Sequence, residues 1–333
     1  MSRWSRRRRA PLWAGAVTSM SVAALVLACA HPALAYVRYR AAAPLTGGLG
    51  APYAWGHSSL TILGYPHGIP SMPVEQIGAA MTAAVAAWSK EDPTNAACSF
   101  LDLSVALQSA DAIPPAADHD DVNTIALRDG VWTDICTKMK DGTTVCHQPG
   151  ELALTTVWSR SCGEIVEADV EVNADASTSS AFMWADLDAT TTNGGYHDLQ
   201  NALTHEMGHF IGLDHTCELA PGAAAGEVDN LGNPVPDCGD STLAEMEATM
   251  YPSSEAGDVS KRTLSQDDRD GLCAIYPLGT NPVTCGGGSG SSGGCAVAPA
   301  PAAANGPRAV RWFTFVGGAL AMGALIAARR RRP

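Results

Sequence analysis

The stretch HEMGHFIGLDH, residues 205–215, constrains this chain more than any other feature. In an α-helix, positions i and i+4 share a face, so His205 and His209 present two imidazoles side by side. Glu206 lies next to them and can reach a water at a bound ion without ligating the ion. Gly212 can adopt the left-handed conformation that ends a helix and turns the chain, which brings His215 back toward the first two histidines. Three imidazoles with one position left open make the ligand set of a hydrolytic zinc. Histidine sites also accept other divalent ions, so spacing alone leaves the metal open. His57, His67, His119, His147 and His197 stand outside any tight spacing and read as surface or loop residues.

The remaining pattern predicts an α+β domain. SLTILGY (59–65) is a short apolar strand, and Ser71 with Pro73 signals a helix start. Ile77, Met81, Val85 and Trp88 then recur at helical spacing as core residues. Leu101, Leu103, Val105 and Leu107 alternate as a half-buried strand; NTIALRDGVW and LALTTVWS supply two more. VEADVEVN (166–173) alternates without a break, which predicts one buried face and one acidic, solvated face. A helix from Asp198 to about Gly212 carries the histidine motif. TLSQDDRDGLCAIYP reads as a last helix, with Ser265 as N-cap, Asp268 three residues on and Pro277 as its stop.

The chain ends read differently. Residues 1–35 have the layout of a secretory signal peptide: Arg6–Arg9, an apolar run from Leu12 to Leu27, and Ala33-Leu34-Ala35 as cleavage site. A membrane anchor helix is the competing reading, weakened by the short run and by Pro32. From about residue 281 to 307 the chain is a Gly/Ser/Ala/Pro linker. In 308–333 an apolar stretch from Trp312 to Ala328 is closed by Arg329–Arg332, near the shortest length that spans a membrane. All 34 Asp and Glu fall between residues 36 and 295, against ten of the 21 Lys and Arg, for a net charge of about −24 over that span. Such a surface repels nucleic acid and anionic membranes.

Ten cysteines in an exported chain point to disulfides. Cys136 and Cys146 flank Asp141-Gly142, a hairpin-turn signal, and form a local pair. Cys217 and Cys238 bracket a Gly/Pro/Ala-rich insertion and staple its base. No C-x-x-C spacing occurs, which argues against a cysteine-ligated zinc.

HEMGHFIGLDH resembles the zinc-binding motif of the metzincins, and its GLDH ending resembles the matrixin branch. ATMYP (248–252) is similar to the matrixin Met-turn, LSQDDRDGLCAIYP to the family's C-terminal helix, and AAVAAWSKE to its first helix. The resemblance implies a zincin-like catalytic domain over 36–280: a twisted, mostly parallel sheet, an active-site helix and a small C-terminal subdomain. It implies a zinc endopeptidase acting on proteins or peptides. His205, His209 and His215 would ligate zinc and Glu206 would be the general base. Met250 would lie beneath the ion, Tyr251 and Pro252 would begin the wall of the specificity pocket, and Asp267 and Asp268 would tie the last helix to the base. Structural calcium is a further expectation, with Asp118, Asp120, Asp121, Asp186 and Asp188 as ligands or else as a solvated acidic loop. Thirty-four residues separate His215 from Met250, an insertion that withholds any substrate preference. The tail resembles a MYXO-CTERM-type sorting signal of bacterial surface proteins. Cys295 would be the point at which a sorting protease processes and anchors the chain at the cell surface or outer membrane; a retained membrane anchor is the alternative. A surface-displayed binding or adhesion protein with a structural zinc is the rival function, distinguished by having no need of Glu206.

Overall fold

The computed structural model describes residues 35–41, 48–138, 144–177, 182–187, 195–219, 227–280, 282, 284–285 and 309–317. The leader, Cys295 with most of its linker, and Asp188 lie outside the described residues. The central sheet contains β1 (Ser59–Tyr65), β2 (Asp102–Leu107), β3 (Thr124–Arg128), β4 (Glu151–Ser159) and β5 (Glu164–Asn173) in the order β4-β5-β3-β1-β2. β5, β3, β1 and β2 run parallel, and β4 is antiparallel to β5. The fold is therefore mixed, with a mostly parallel sheet, consistent with the α+β class that the order of elements predicts.

Among the described residues, three helices of ten residues or more pack with the sheet. In α1 (Val74–Trp88) the residues at helical spacing, Ile77, Met81, Val85 and Trp88, are all buried. The motif helix α2 runs from Leu199 to Phe210, shorter than expected by about half a turn because Ile211 already caps it. In α3 (Gln266–Ile275) the Ser265 hydroxyl and the Asp268 side chain form a reciprocal capping box. One apolar core joins these elements, from Ile77 and Trp88 through Val157, Val170 and Met207 to Met250, Leu272 and Tyr276.

Two strand readings change. Leu107 ends β2, the outermost strand on its side, and is exposed. The acidic face of β5 is not solvated: Glu167, Asp169 and Glu171 are buried. Alternation fixes which residues share a face, but burial depends on what covers that face. Here the segments around 119–121 and 147 pack over it. Glu167 accepts from the Asp120 and Asp121 amides and bonds His119 Nδ1 at 2.6 Å. Asp169 accepts from Thr124 N and Oγ1 at 2.9 and 2.6 Å. Glu171 bonds Arg128 Nε at 2.6 Å and His147 Nε2 at 3.0 Å. His147 is accordingly a buried residue, not a surface one, and His197 is buried too.

Four disulfides tie the fold: Cys98–Cys273, Cys136–Cys146, Cys162–Cys285 and Cys217–Cys238. Cys136 and Cys146 face each other across a short antiparallel pair. Four bridges point to an oxidising compartment. Ala309–Gly317, expected within an apolar tail, is a strand that pairs antiparallel with β4 and parallel with Ser253–Ser254. Among the described residues no helix is long and apolar enough to cross a membrane.

Asp169 supplies a pH test. Burial pushes its carboxyl up to about 8, so the folded state holds a proton that the unfolded state has released above its ordinary range. Stability from this group is complete at low pH and falls as pH rises toward 8, at a limiting slope of about 1.4 kcal/mol per pH unit. Asp169→Asn keeps an acceptor for Thr124 and removes the titration. Urea unfolding at pH 5 and pH 8 is expected to show a smaller loss of stability with pH in the variant than in the parent chain.

Candidate metal centre

Helix α2 is buried on every side: of its residues only Gln200 is not buried. A helix in that position must have its polar groups met inside the protein. Its start is capped by Asp198, whose Oδ1 accepts from Asn201 N at 2.8 Å. Arg262 grips both oxygens of Asp198, at 2.9 and 2.5 Å, and also pairs with Asp186 at 2.5 Å. Asp186 is thus held by a guanidinium rather than aimed at a calcium site. Asp118 and Asp120 accept from the amides of His119 and Val122 in their own loop. Among the described residues no three of the calcium candidates converge on one point.

Two indoles hold the helix from outside. Trp88 Nε1 donates to Thr204 O and Trp55 Nε1 to Phe210 O, both at 2.8 Å. Tyr276 Oη donates to Ile211 O at 2.7 Å. The last carbonyls of a helix lack intrahelical partners, and Trp55 and Tyr276 supply them at Phe210 and the capping Ile211. Gly212 then turns the chain at φ +100°, with Tyr53 O only 2.8 Å from where a Cβ would stand. Gly208 makes a second close approach: a Cβ there would collide with Met250 Sδ and lie 2.9 Å from Trp88 Cζ2. A glycine inside a helix was the visible signal for that contact.

With the chain turned, the three motif histidines come together in the interior. Their ligand nitrogens lie within 4.8 Å of one another. His205 Nδ1 is 2.6 Å from Thr249 O, and His209 Nδ1 is 3.0 Å from Leu213 O. A carbonyl can only accept, so each Nδ1 carries the proton and each Nε2 keeps its lone pair. His209 Nε2 is 3.1 Å from His215 Nε2, a distance at which the two share a proton or a cation. Burial drives His209 down to about 3. Burial, followed by the neighbouring His209, also holds His205 and His215 well below the ordinary imidazole range. Neutral, buried, converging imidazoles with outward Nδ1–H bonds are the donor set a zinc ion requires.

Glu206 is buried beside them. Its Oε2 accepts from Thr155 Oγ1 of β4 at 2.5 Å, whereas its Oε1 has no hydrogen-bond partner among the described residues. Burial pushes this carboxyl up to about 8. A cation at the histidines would favour its charged, proton-accepting form.

ATMYP, expected as the turn beneath the ion, packs against α2. Met250 is buried with its Sδ against Gly208, under α2. Asp268 differs from the expectation: it grips the turn, not the base. Its oxygens accept from Thr249 N at 2.9 Å and Met250 N at 3.3 Å. Because Thr249 O in turn orients His205, Asp268 acts on a histidine through one peptide unit. Asp267 does not join it; burial, then the adjacent Asp268, raises its carboxyl to about 7. Tyr251 and Pro252 follow Met250 directly, and the buried Lys261 donates to Tyr251 O at 2.5 Å and Ser253 O at 2.8 Å. Lys261 N also donates to Asn201 Oδ1, and Asn201 Nδ2 to Ser254 Oγ. Sequence reading missed Thr155, Asn201 and Lys261, whose partners lie 51, 53 and 60 positions away.

No protein-family model matches the chain. A 99-residue stretch is 31% identical to neutrophil collagenase of Homo sapiens, covering 29% of this chain and 15% of that protein. The likeness is partial and distant, and the chain spans only a small part of that protein's length.

If Asp268 orients His205 through Thr249, Asp268→Ala should weaken zinc binding by about 10- to 100-fold. Asp267→Ala should stay within about threefold of the parent. Chelator competition at fixed pH measures both.

Proposed function

We propose that this chain is a zinc-dependent endopeptidase, exported and tethered at the cell surface. The observation that carries the reading is three converging, neutral imidazoles together with a buried carboxyl of the same helix that is anchored at one oxygen and has no hydrogen-bond partner at the other among the described residues. A purely structural metal would make no use of that second oxygen, which counts against the binding-protein alternative.

His205, His209 and His215 would hold the ion. When bound, zinc supplies Lewis acidity that polarises the scissile carbonyl and makes a water more acidic. Glu206 Oε1 takes the proton from that water and later delivers it to the leaving amine. Burial of the site strengthens both electrostatic effects by excluding bulk solvent. Met250 closes the floor beneath the histidines. Tyr251 and Pro252, fixed through their segment by Lys261, begin a wall on one side of the cleft.

The substrate class is supported by main-chain geometry. The outer edge of β4 accepts Ala309–Gly317 antiparallel, with Thr155 opposite Phe313, while Ser253–Ser254 pairs with its other side in parallel. An extended peptide bound between the same two edges would gain main-chain hydrogen bonds with little dependence on side chains. Export is supported by the leader pattern and the disulfides, and surface tethering by the tail resemblance around Cys295, where a sorting protease would act.

Glu206→Ala should retain one zinc per chain and lose cleavage of an unfolded protein such as casein by at least about 100-fold. Chelation should abolish the parent activity and zinc should restore it. Unchanged cleavage by the Glu206→Ala chain would overturn the assignment of the base.

A further inference from the structure

β4 contributes two consecutive threonines, and Thr155 is the one on the side of α2. Its strand neighbours two residues away, Ala153 and Val157, are buried in the same apolar core as Leu203 and Met207. A hydroxyl in such a row needs a reason, because an apolar residue of the same shape would pack there without a polar group to satisfy. Thr155 is fully buried, and its Oγ1 meets Glu206 at two points: Oε2 at 2.5 Å and the main-chain O at 3.2 Å. A hydroxyl has one proton to donate. The side-chain oxygen, at 2.5 Å against 3.2 Å, is the nearer acceptor, so it takes that proton.

The consequence is an asymmetric carboxylate. Oε2 is pinned to the sheet, and Oε1 is buried with no partner among the described residues. Pinning one oxygen narrows the rotation of the group, and the sheet thereby decides which oxygen is left without a protein partner among the described residues.

We infer that Thr155 is a positioning residue for Glu206, holding Oε2 so that Oε1 is the atom that exchanges protons with the reacting water; this rests on the endopeptidase reading above. The Thr155 hydroxyl is committed to Glu206, and only the main chain of β4 would meet a bound peptide. Its effect should therefore appear in the chemical step and not in substrate binding. Loss of orientation in a supporting contact of this kind costs about 10- to 100-fold in rate.

The test compares the full chain with Thr155→Val and Thr155→Ala, which lack the hydroxyl, and Thr155→Ser, which keeps it. The expected result is a kcat lowered about 10- to 100-fold in the Val and Ala variants with KM within about twofold of the parent. Zinc content should stay at the parent value, and Thr155→Ser should return kcat to within about threefold. A second readout needs no activity. In the metal-free protein, the infrared band obtained by subtracting the Glu206→Gln spectrum from the parent should shift in Thr155→Val and return in Thr155→Ser. A hydroxyl-free variant with parental kcat and an unshifted carboxylate band would overturn the inference while leaving the endopeptidase reading intact. A serine variant as impaired as valine would also overturn it, since packing and not the hydroxyl would then be at work. A parent chain that binds zinc but cleaves no peptide would overturn the endopeptidase reading, and this inference with it.

Discussion

The structure depends on burying a polar helix. α2 carries two imidazoles and a carboxylate yet is enclosed on all sides, and unmet polar groups in that setting cost several kcal/mol each. Nearly every long-range contact of the core answers that demand. Arg262 and Asp198 close its first turn, Trp88 and Trp55 take carbonyls along its length, Tyr276 takes the one after it, and Thr155 holds its glutamate. The result is a rigid frame in which the nitrogens of His205, His209 and His215 have little freedom to move apart.

Support of the site reaches beyond the helix in two layers. Thr249 O orients His205, and Asp268 orients Thr249. On the other side, Lys261 gathers the carbonyls of Tyr251 and Ser253 and joins them through Asn201 to α2. The capping box of α3 and the turn beneath the histidines thus share one carboxylate, because Asp268 also accepts from Ser265 N and Oγ. Helix start and metal support are the same piece of chemistry, which makes changes at Asp268 act on both.

The acidic strand β5 shows where pattern reading reaches its limit. Alternation correctly grouped Glu167, Asp169 and Glu171 on one face, because the side-chain period of a strand is two. It could not say that the segments bearing His119 and His147, with Thr124 and Arg128 of the neighbouring β3, would supply partners for that face. Each carboxylate found donors there, and they act differently on it. Burial dominates at Asp169 and raises it, whereas His147 and Arg128 overcome the effect of burial at Glu171 and lower it. Such a ladder of buried carboxylates stores pH sensitivity in the fold itself, away from the histidines.

What the sequence determined by itself was local. His205 and His209 share a helix face, Gly212 reverses the chain, Ser265 opens a helix, and Cys136 lies near Cys146, because each relation spans about ten residues or fewer and follows from backbone geometry. Only the tertiary structure decided that Thr155 would anchor Glu206, that Asp268 would serve the turn and not the base, that Asp186 would pair with Arg262, and that Cys98 and Cys162 would reach Cys273 and Cys285. These contacts join residues that no periodicity relates. They form because packing the sheet against a fully enclosed helix leaves polar groups that can be met only by whatever the fold brings alongside.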